Sequence, residues 1–248
     1  MWVNLRMMGA LVIRGKHVIR PGSSGPASIH IRDGIIAAID TFDSVPSGGE
    51  VAEVIDAGDC VVLPGLVDTH VHLNDPGRAD WEGFAFGTRA SAAGGITTLI
   101  DMPLNSIPPT TTVRGLHAKV EAARDQCWVD VGFWGGVVPG NADQIEPLIA
   151  AGVFGFKCFL VPSGVYEFLH VTEEDLRLAL PRIAANRRLL LVHAELPDLI
   201  DAARTDNPAR GYGDYLASRP RAAENEAIEL LIRLSRELRG PSSLGWPA

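Results

Sequence analysis

Two histidines one residue apart, His70 and His72, close the run that begins at Cys60, an apolar β-branched stretch with a bend at Pro64-Gly65. Side chains alternate between faces in an extended strand, so the two imidazoles point the same way. Such a pair suits a first-row divalent cation; taken alone, it equally fits one histidine in the core and one on the surface. Three later apolar runs also carry polar groups: Asp101 after residues 96–100, Lys157 inside 155–160, and His193 with Glu195 after 189–192. An unpaired ammonium among Phe156, Cys158 and Phe159 would be costly. Lys157 is therefore either half of a structural ion pair, with Asp101 as its partner, or a lysine of depressed pKa serving as a base, a Schiff-base former or a carbamate. A carbamate has two oxygens and can bridge two cations. His193 alone fits a satisfied interior histidine; a metal centre uses all of these residues at once.

Elements able to position them follow from the patterning. Residues 9–60 read as short strands (11–13, 18–19, 28–32, 35–39, 53–56) separated by Gly15, Pro21-Gly22, Asp33-Gly34 and Ser47-Gly48-Gly49. Asp33-Gly34 between apolar runs signals a hairpin. His17 and His30 fall in this unit without convergent partners and read as structural. From residue 61, strands alternate with helical patterns: strands near 66–72, 96–103, 129–134, 155–160 and 189–195, and helices over 81–93, 113–126, 142–151, 173–185 and 220–238. The last carries Glu224, Glu226 and Glu229 among apolar positions. This alternation implies parallel strands with helices outside, as in a (β/α)8 barrel, whose active sites lie at the C-terminal strand ends. His70/His72, Asp101, Lys157 and His193/Glu195 all fall at such ends. The expected organisation is an N-terminal β domain over 1–60, a partial barrel of five βα units over 61–240, and an unpatterned tail over 241–248. Strands one and five would be its edges.

Composition narrows the class. The 248 residues carry a net charge of −8, with 46% hydrophobic and 21% charged residues, as in an ordinary globular protein. The acidic balance and the lack of a basic stripe argue against nucleic-acid binding. Nothing approaches the roughly 20 apolar residues of a membrane span, and the 7–13 run is short for a signal peptide, so a cytoplasmic location is expected. Cys60, Cys127 and Cys158 are spaced for reduced, mostly buried thiols. Lysine occurs only at 16, 119 and 157; all other cations are arginine, a bias expected of a GC-rich bacterial genome.

Four motifs together, Gly65-Leu-Val-Asp-Thr-His-Val-His72, Gly94-Gly-Ile-Thr-Thr98, Gly155-Phe-Lys-Cys-Phe-Leu160 and Leu191-Val-His-Ala-Glu195, resemble the cyclic amidohydrolases, which comprise dihydroorotase, hydantoinase/dihydropyrimidinase and allantoinase. The likeness is greatest to the allantoinase branch, carried by residues 72–84, 101–111 and 218–228. The resemblance implies an amidohydrolase-type barrel with a small N-terminal β-sandwich, in a homo-oligomer of four chains. It implies two zinc ions: His70 and His72 on one, His193 on the other, and Lys157, as its carbamate, bridging both. The reaction implied is hydrolysis of allantoin to allantoate, in purine catabolism; the alternatives are a hydantoinase-type hydrolase or a truncated non-catalytic homologue. Asn74 and Asn105 are the expected substrate contacts, with a turn role the alternative for each, Asn74 before Asp75-Pro76 and Asn105 in the loop after strand two. Dihydroorotases resemble His-x-His-x-Arg, where the arginine suits a carboxylate, whereas Asn74 suits a neutral cyclic ureide. The family's later histidine and its general-base aspartate have no counterpart in the 248 residues, so no catalytic acid or base is assigned and little turnover is expected of these residues alone.

Overall fold

The computed structural model describes residues 10–44, 53–204 and 211–238. The expected Ser47-Gly48-Gly49 break and the 241–248 tail lie outside these residues. The chain divides into two compact units, residues 3–66 and the part from residue 67 onward.

The first unit is a five-stranded sheet of β1 (Ala10–Arg20), β2 (Ser23–Arg32), β3 (Ile35–Asp40), β4 (Glu53–Asp56) and β5 (Val61–Val62). Its order is β3-β2-β1-β4, and β5 also pairs with β1. Two runs expected as separate strands, 11–13 and 18–19, are one strand, with a register shift between Gly15 and Val18. The β2–β3 hairpin turns at Asp33-Gly34, as expected, with φ of 51° and 77°. Positive φ at both central residues matches the strand twist. His30 is buried with its Nε2 3.2 Å from Ser44 Oγ, while His17 is exposed.

The second unit begins with β6 (Leu66–Val71) and alternates as expected: α1 (Phe84–Ala93), β7 (Ile96–Asp101), α2 (Val113–Ala123), β8 (Asp130–Phe133), β9 (Gly135–Gly136), α3 (Ile145–Ala150), β10 (Gly155–Phe159), α4 (Glu173–Ala185) and β11 (Leu189–His193). Then come α5 (Pro197–Ala203), α6 (Tyr212–Ala217) and α7 (Arg221–Leu238). The strands form two sheets, β6-β7-β8 and β9-β10-β11. The third expected strand, 129–134, is β8, and a further short strand, β9, follows it past Trp134. The Trp134 N–H bonds the Asp101 carbonyl at 3.0 Å, and the chain then turns to pair Gly135 and Gly136 with β10. Those glycines are required by close approach: a Cβ would meet the Phe156 ring at 2.8 Å and the Phe168 ring at 2.4 Å. Strands one and five were expected as the edges of one sheet; with the strands in two sheets, β6, β8, β9 and β11 each pair on one side only among the described residues.

Local chemistry sets the helix ends. Thr172 and Asp175 form a capping box at α4, and the Thr112 side chain accepts from Gly115 N–H at α2. The first helix starts at Phe84, three residues later than its pattern suggests, because Gly83 sits at φ 79° and donates to the Leu73 carbonyl. Asp125, at φ 58°, ends α2 before residue 126. Neither α5 nor α6 was expected from the sequence; both are short and lack a side-chain cap. The core gathers Leu73, Phe84, Leu99, Phe133, Phe156, Leu176 and Leu234. Of the thiols, Cys158 is buried, Cys127 half-buried and Cys60 exposed.

An ion-pair network joins α4 to α7: Glu173 binds Arg177 at 2.7 Å and Arg233 at 2.9 Å, and Arg177 reaches Glu237 at 2.8 Å. The two guanidiniums hold the Glu173 carboxyl down at about 2, first through Arg233. A carboxyl depressed in the folded state contributes stability above its unfolded pKa and loses it as pH falls through the folded value. Glu173→Gln is therefore expected to be less stable than wild type at pH 7. The difference in urea midpoint should shrink below pH 4.5 and vanish near pH 2.

Candidate metal centre

His70 lies on β6 and His72 just beyond it, their ring centroids 5.7 Å apart. His72 is half-buried; burial lowers its pKa, and the charges of His70, Lys119 and Lys157 lower it further against the opposing pull of Asp101. A neutral imidazole is the form a metal requires. Lys157 is 5% exposed on β10. Burial lowers its pKa as well, and among the described residues no carboxylate stands within ion-pair distance of its Nζ. The ammonium instead faces the Phe159 ring, 4.8 Å from the centroid.

Asp101 is not the partner of Lys157. Its Oδ2 pairs with Lys119 Nζ at 2.5 Å, both side chains fully buried, and its Oδ1 accepts from Leu73 N–H at 2.7 Å. Lys119 also donates to the Met102 carbonyl at 2.8 Å. Removing one partner of such a buried pair costs about 3–5 kcal/mol. That correction strengthens the case for Lys157 as a functional group, since the structural ion pair offered for it belongs to another lysine. Lys119 escaped notice in an amphipathic helix pattern, where a cation reads as solvent-facing. Its rarity was the available signal: it is one of three lysines, and it sits between Ala118 and Val120.

On β11, His193 pairs in register with Phe159. The imidazole stacks on that ring, centroids 5.0 Å apart and planes 13° from parallel, while its Nε2 lies 2.9 Å from Glu195. Glu195 in turn binds Arg219 at 3.1 Å. Lys157, Phe159, Leu191 and His193 share one face of the sheet by register and alternation. The lysine and this histidine thus both lie against one aromatic ring. Among the described residues, no three His, Cys, Asp or Glu side chains converge as a ready-made cation site. The donor set depends on Lys157, whose amine binds a metal only when deprotonated or carboxylated.

Asn74 and Asn105 meet each other: the Asn105 amide donates to Asn74 Oδ1 at 3.1 Å and lies 3.4 Å from His72 Nδ1. Both backbones are left-handed, φ 64° and 68°, a region asparagine tolerates better than most residues. Asn74 is 7% exposed, so Asn105 is the more open of the two to a bound molecule. Arg78 ties the neighbouring loops together. It donates to the Asn105 carbonyl at 2.7 Å, pairs with Glu167 from the segment after β10, and lies over the Trp81 ring at 4.9 Å. The pairing with Arg78 holds the Glu167 carboxyl below its usual range.

The profile of the amidohydrolase family matches residues 61–228. This chain belongs to the amidohydrolase family. It is 53% identical over 232 residues to the allantoinase of Streptomyces avermitilis, an alignment covering 92% of this chain and 51% of that one. It is 43% identical over 237 residues to the allantoinase of Saccharomyces cerevisiae, covering 92% and 52%. Among solved structures, it matches the L-hydantoinase (dihydropyrimidinase) of Arthrobacter aurescens with a TM-score of 0.84 at 33% identity, covering 93% of this chain and 51% of that one. The chain spans about half the length of the curated relatives it matches. The second unit is accordingly part of a TIM-barrel-type α/β fold.

Arg78→Ala removes a charge-assisted hydrogen bond, an ion pair and a ring contact at once. We expect a loss of about 1.5–3 kcal/mol in urea denaturation. Limited proteolysis should speed up within residues 102–112 and 160–171; unchanged cleavage there would show that Arg78 does not hold these loops.

Proposed function

We propose that this chain carries the metal-binding half of a cyclic amidohydrolase that opens the ring of allantoin to give allantoate. The observation that carries the reading is Lys157: a buried lysine with no carboxylate partner among the described residues, on β10 beside the strand that carries His193. His70 and His72 would hold one divalent ion, His193 a second, and the carboxylated Lys157 would bridge them. Zinc fits the nitrogen-rich donor set. Such ions, when bound, polarise an amide carbonyl and lower the pKa of water. The protein's own residues supply the rest. Asp101 fixes the backbone beside His72, Asn105 offers a neutral amide to a bound ring, and Arg78 steadies the loop bearing Asn105. Glu195 holds His193 through its Nε2, leaving Nδ1 for a cation.

Two features favour allantoin, the second of them only against carboxylated cyclic amides. The relatives at 43–53% identity reported above are allantoinases. In addition, Asn74 and Asn105 present neutral polar groups where a carboxylated substrate would call for a cation. The N-terminal sheet fits one layer of a β-sandwich, and the assembly proposed is a homotetramer in the cytoplasm. No helix among the described residues is long and apolar enough to cross a membrane.

The test is a ranking of substrates by the purified, zinc-supplemented chain. Allantoin should be turned over in preference to hydantoin and dihydrouracil, and Lys157→Ala should abolish the reaction. A low absolute rate is expected of these residues alone, which span about half the length of the relatives they match. Turnover of hydantoin and dihydrouracil without allantoin would replace this reading with a hydantoinase. Binding of zinc with no turnover of any of the three would favour a non-catalytic homologue.

A further inference from the structure

We propose that the buried Asp101–Lys119 pair is the positioning device of the candidate metal centre, holding residues 70–74 in the one conformation that presents both imidazoles together. For its functional weight the inference rests on the metal reading; its structural half stands apart from it. The end of β6 is gripped on both sides of His72. Val71 accepts from Met102 N–H at 2.8 Å, and Leu73 donates to Asp101 Oδ1 at 2.7 Å. The second of these is where a backbone ladder would normally continue. It cannot, because the chain turns away at Asn74 with φ 64°. A carboxylate therefore takes the place of a backbone carbonyl as acceptor for a buried N–H that would otherwise be orphaned.

The carboxylate needs its own anchor, since a short side chain with one free oxygen could rotate. Lys119 provides it, fixing Oδ2 at 2.5 Å and the neighbouring Met102 carbonyl at 2.8 Å from helix α2. One lysine thus links α2, the end of β7 and the segment carrying the histidines. Buried ion pairs are weak devices for stability alone, and an apolar pair of similar volume often does as well. Its placement against the Leu73 amide, next to His72, points to geometry as the property it secures.

Two charge-free double variants test this. Asp101→Asn with Lys119→Met keeps an oxygen acceptor for Leu73, whereas Asp101→Leu with Lys119→Met removes it. Hydrogen–deuterium exchange across residues 66–75 should stay near wild type in the first and be about tenfold faster or more in the second. Peptides covering Gly155–Phe159 should not change in either. With Co2+ as the probe, the visible absorption band of the wild type should persist in the asparagine variant and shift or disappear in the leucine variant. Equal exchange in the two variants overturns the positioning role. A wild-type chain with no cobalt band, but with the exchange difference intact, overturns the metal reading and supports the positioning. Should the leucine variant fail to fold by circular dichroism, Lys119→Met alone takes its place. Its exchange must rise by the same order and return on adding Asp101→Asn; an unchanged rate overturns the proposal.

Discussion

The architecture of the second unit turns on a carboxylate that has no water to turn to. Asp101 ends β7 in a fully buried position, where an unpaired charge is untenable. Its two oxygens are satisfied by Lys119 from α2 and by the Leu73 amide just past β6. Three elements are thereby fixed by one side chain. The histidine pair, its asparagine neighbour and the loop beyond inherit their placement from it. Packing of Leu73 and Leu99 in the common core supports the same geometry from the apolar side.

Around this anchor the polar groups sort by environment. Lys157 and His72 are both pushed toward their neutral forms by burial, the condition in which nitrogen donors bind cations. Charged groups that are paired, such as Arg78 with Glu167 and Arg219 with Glu195, lie farther out and brace the loops. The arrangement separates groups able to take a ligand from groups that hold the frame. An arginine could not replace Lys157 in this scheme, because a guanidinium neither deprotonates nor accepts a carboxyl group.

Much of this was legible in the sequence, for reasons that can be named. His-x-His on an apolar run reports shared facing through strand periodicity alone, and Lys157 stands out because its immediate neighbours are aromatic. The βα alternation is legible where helices carry local capping signals, as at Thr172 and Thr112. What stayed hidden depends on contacts far apart in the chain. Lys119 finds Asp101 across 18 residues, Asn105 finds Asn74 across 31, and Arg78 finds Glu167 across 89. Helices α5 and α6 went unread because their short spans carry no capping signature. The short strand past Trp134 depends on two glycines whose use is set by rings packing over them.

The central claim is that His70, His72 and Lys157 are brought together to bind a divalent cation. Crystals of the chain soaked in Zn2+ and measured at the zinc absorption edge test it most directly. The account predicts an anomalous peak about 2.0–2.1 Å from the nitrogens of His70 and His72, with density for a carboxylated Lys157 beside it. Zinc bound only elsewhere on the surface, with an unmodified Lys157 resting on Phe159, would contradict it.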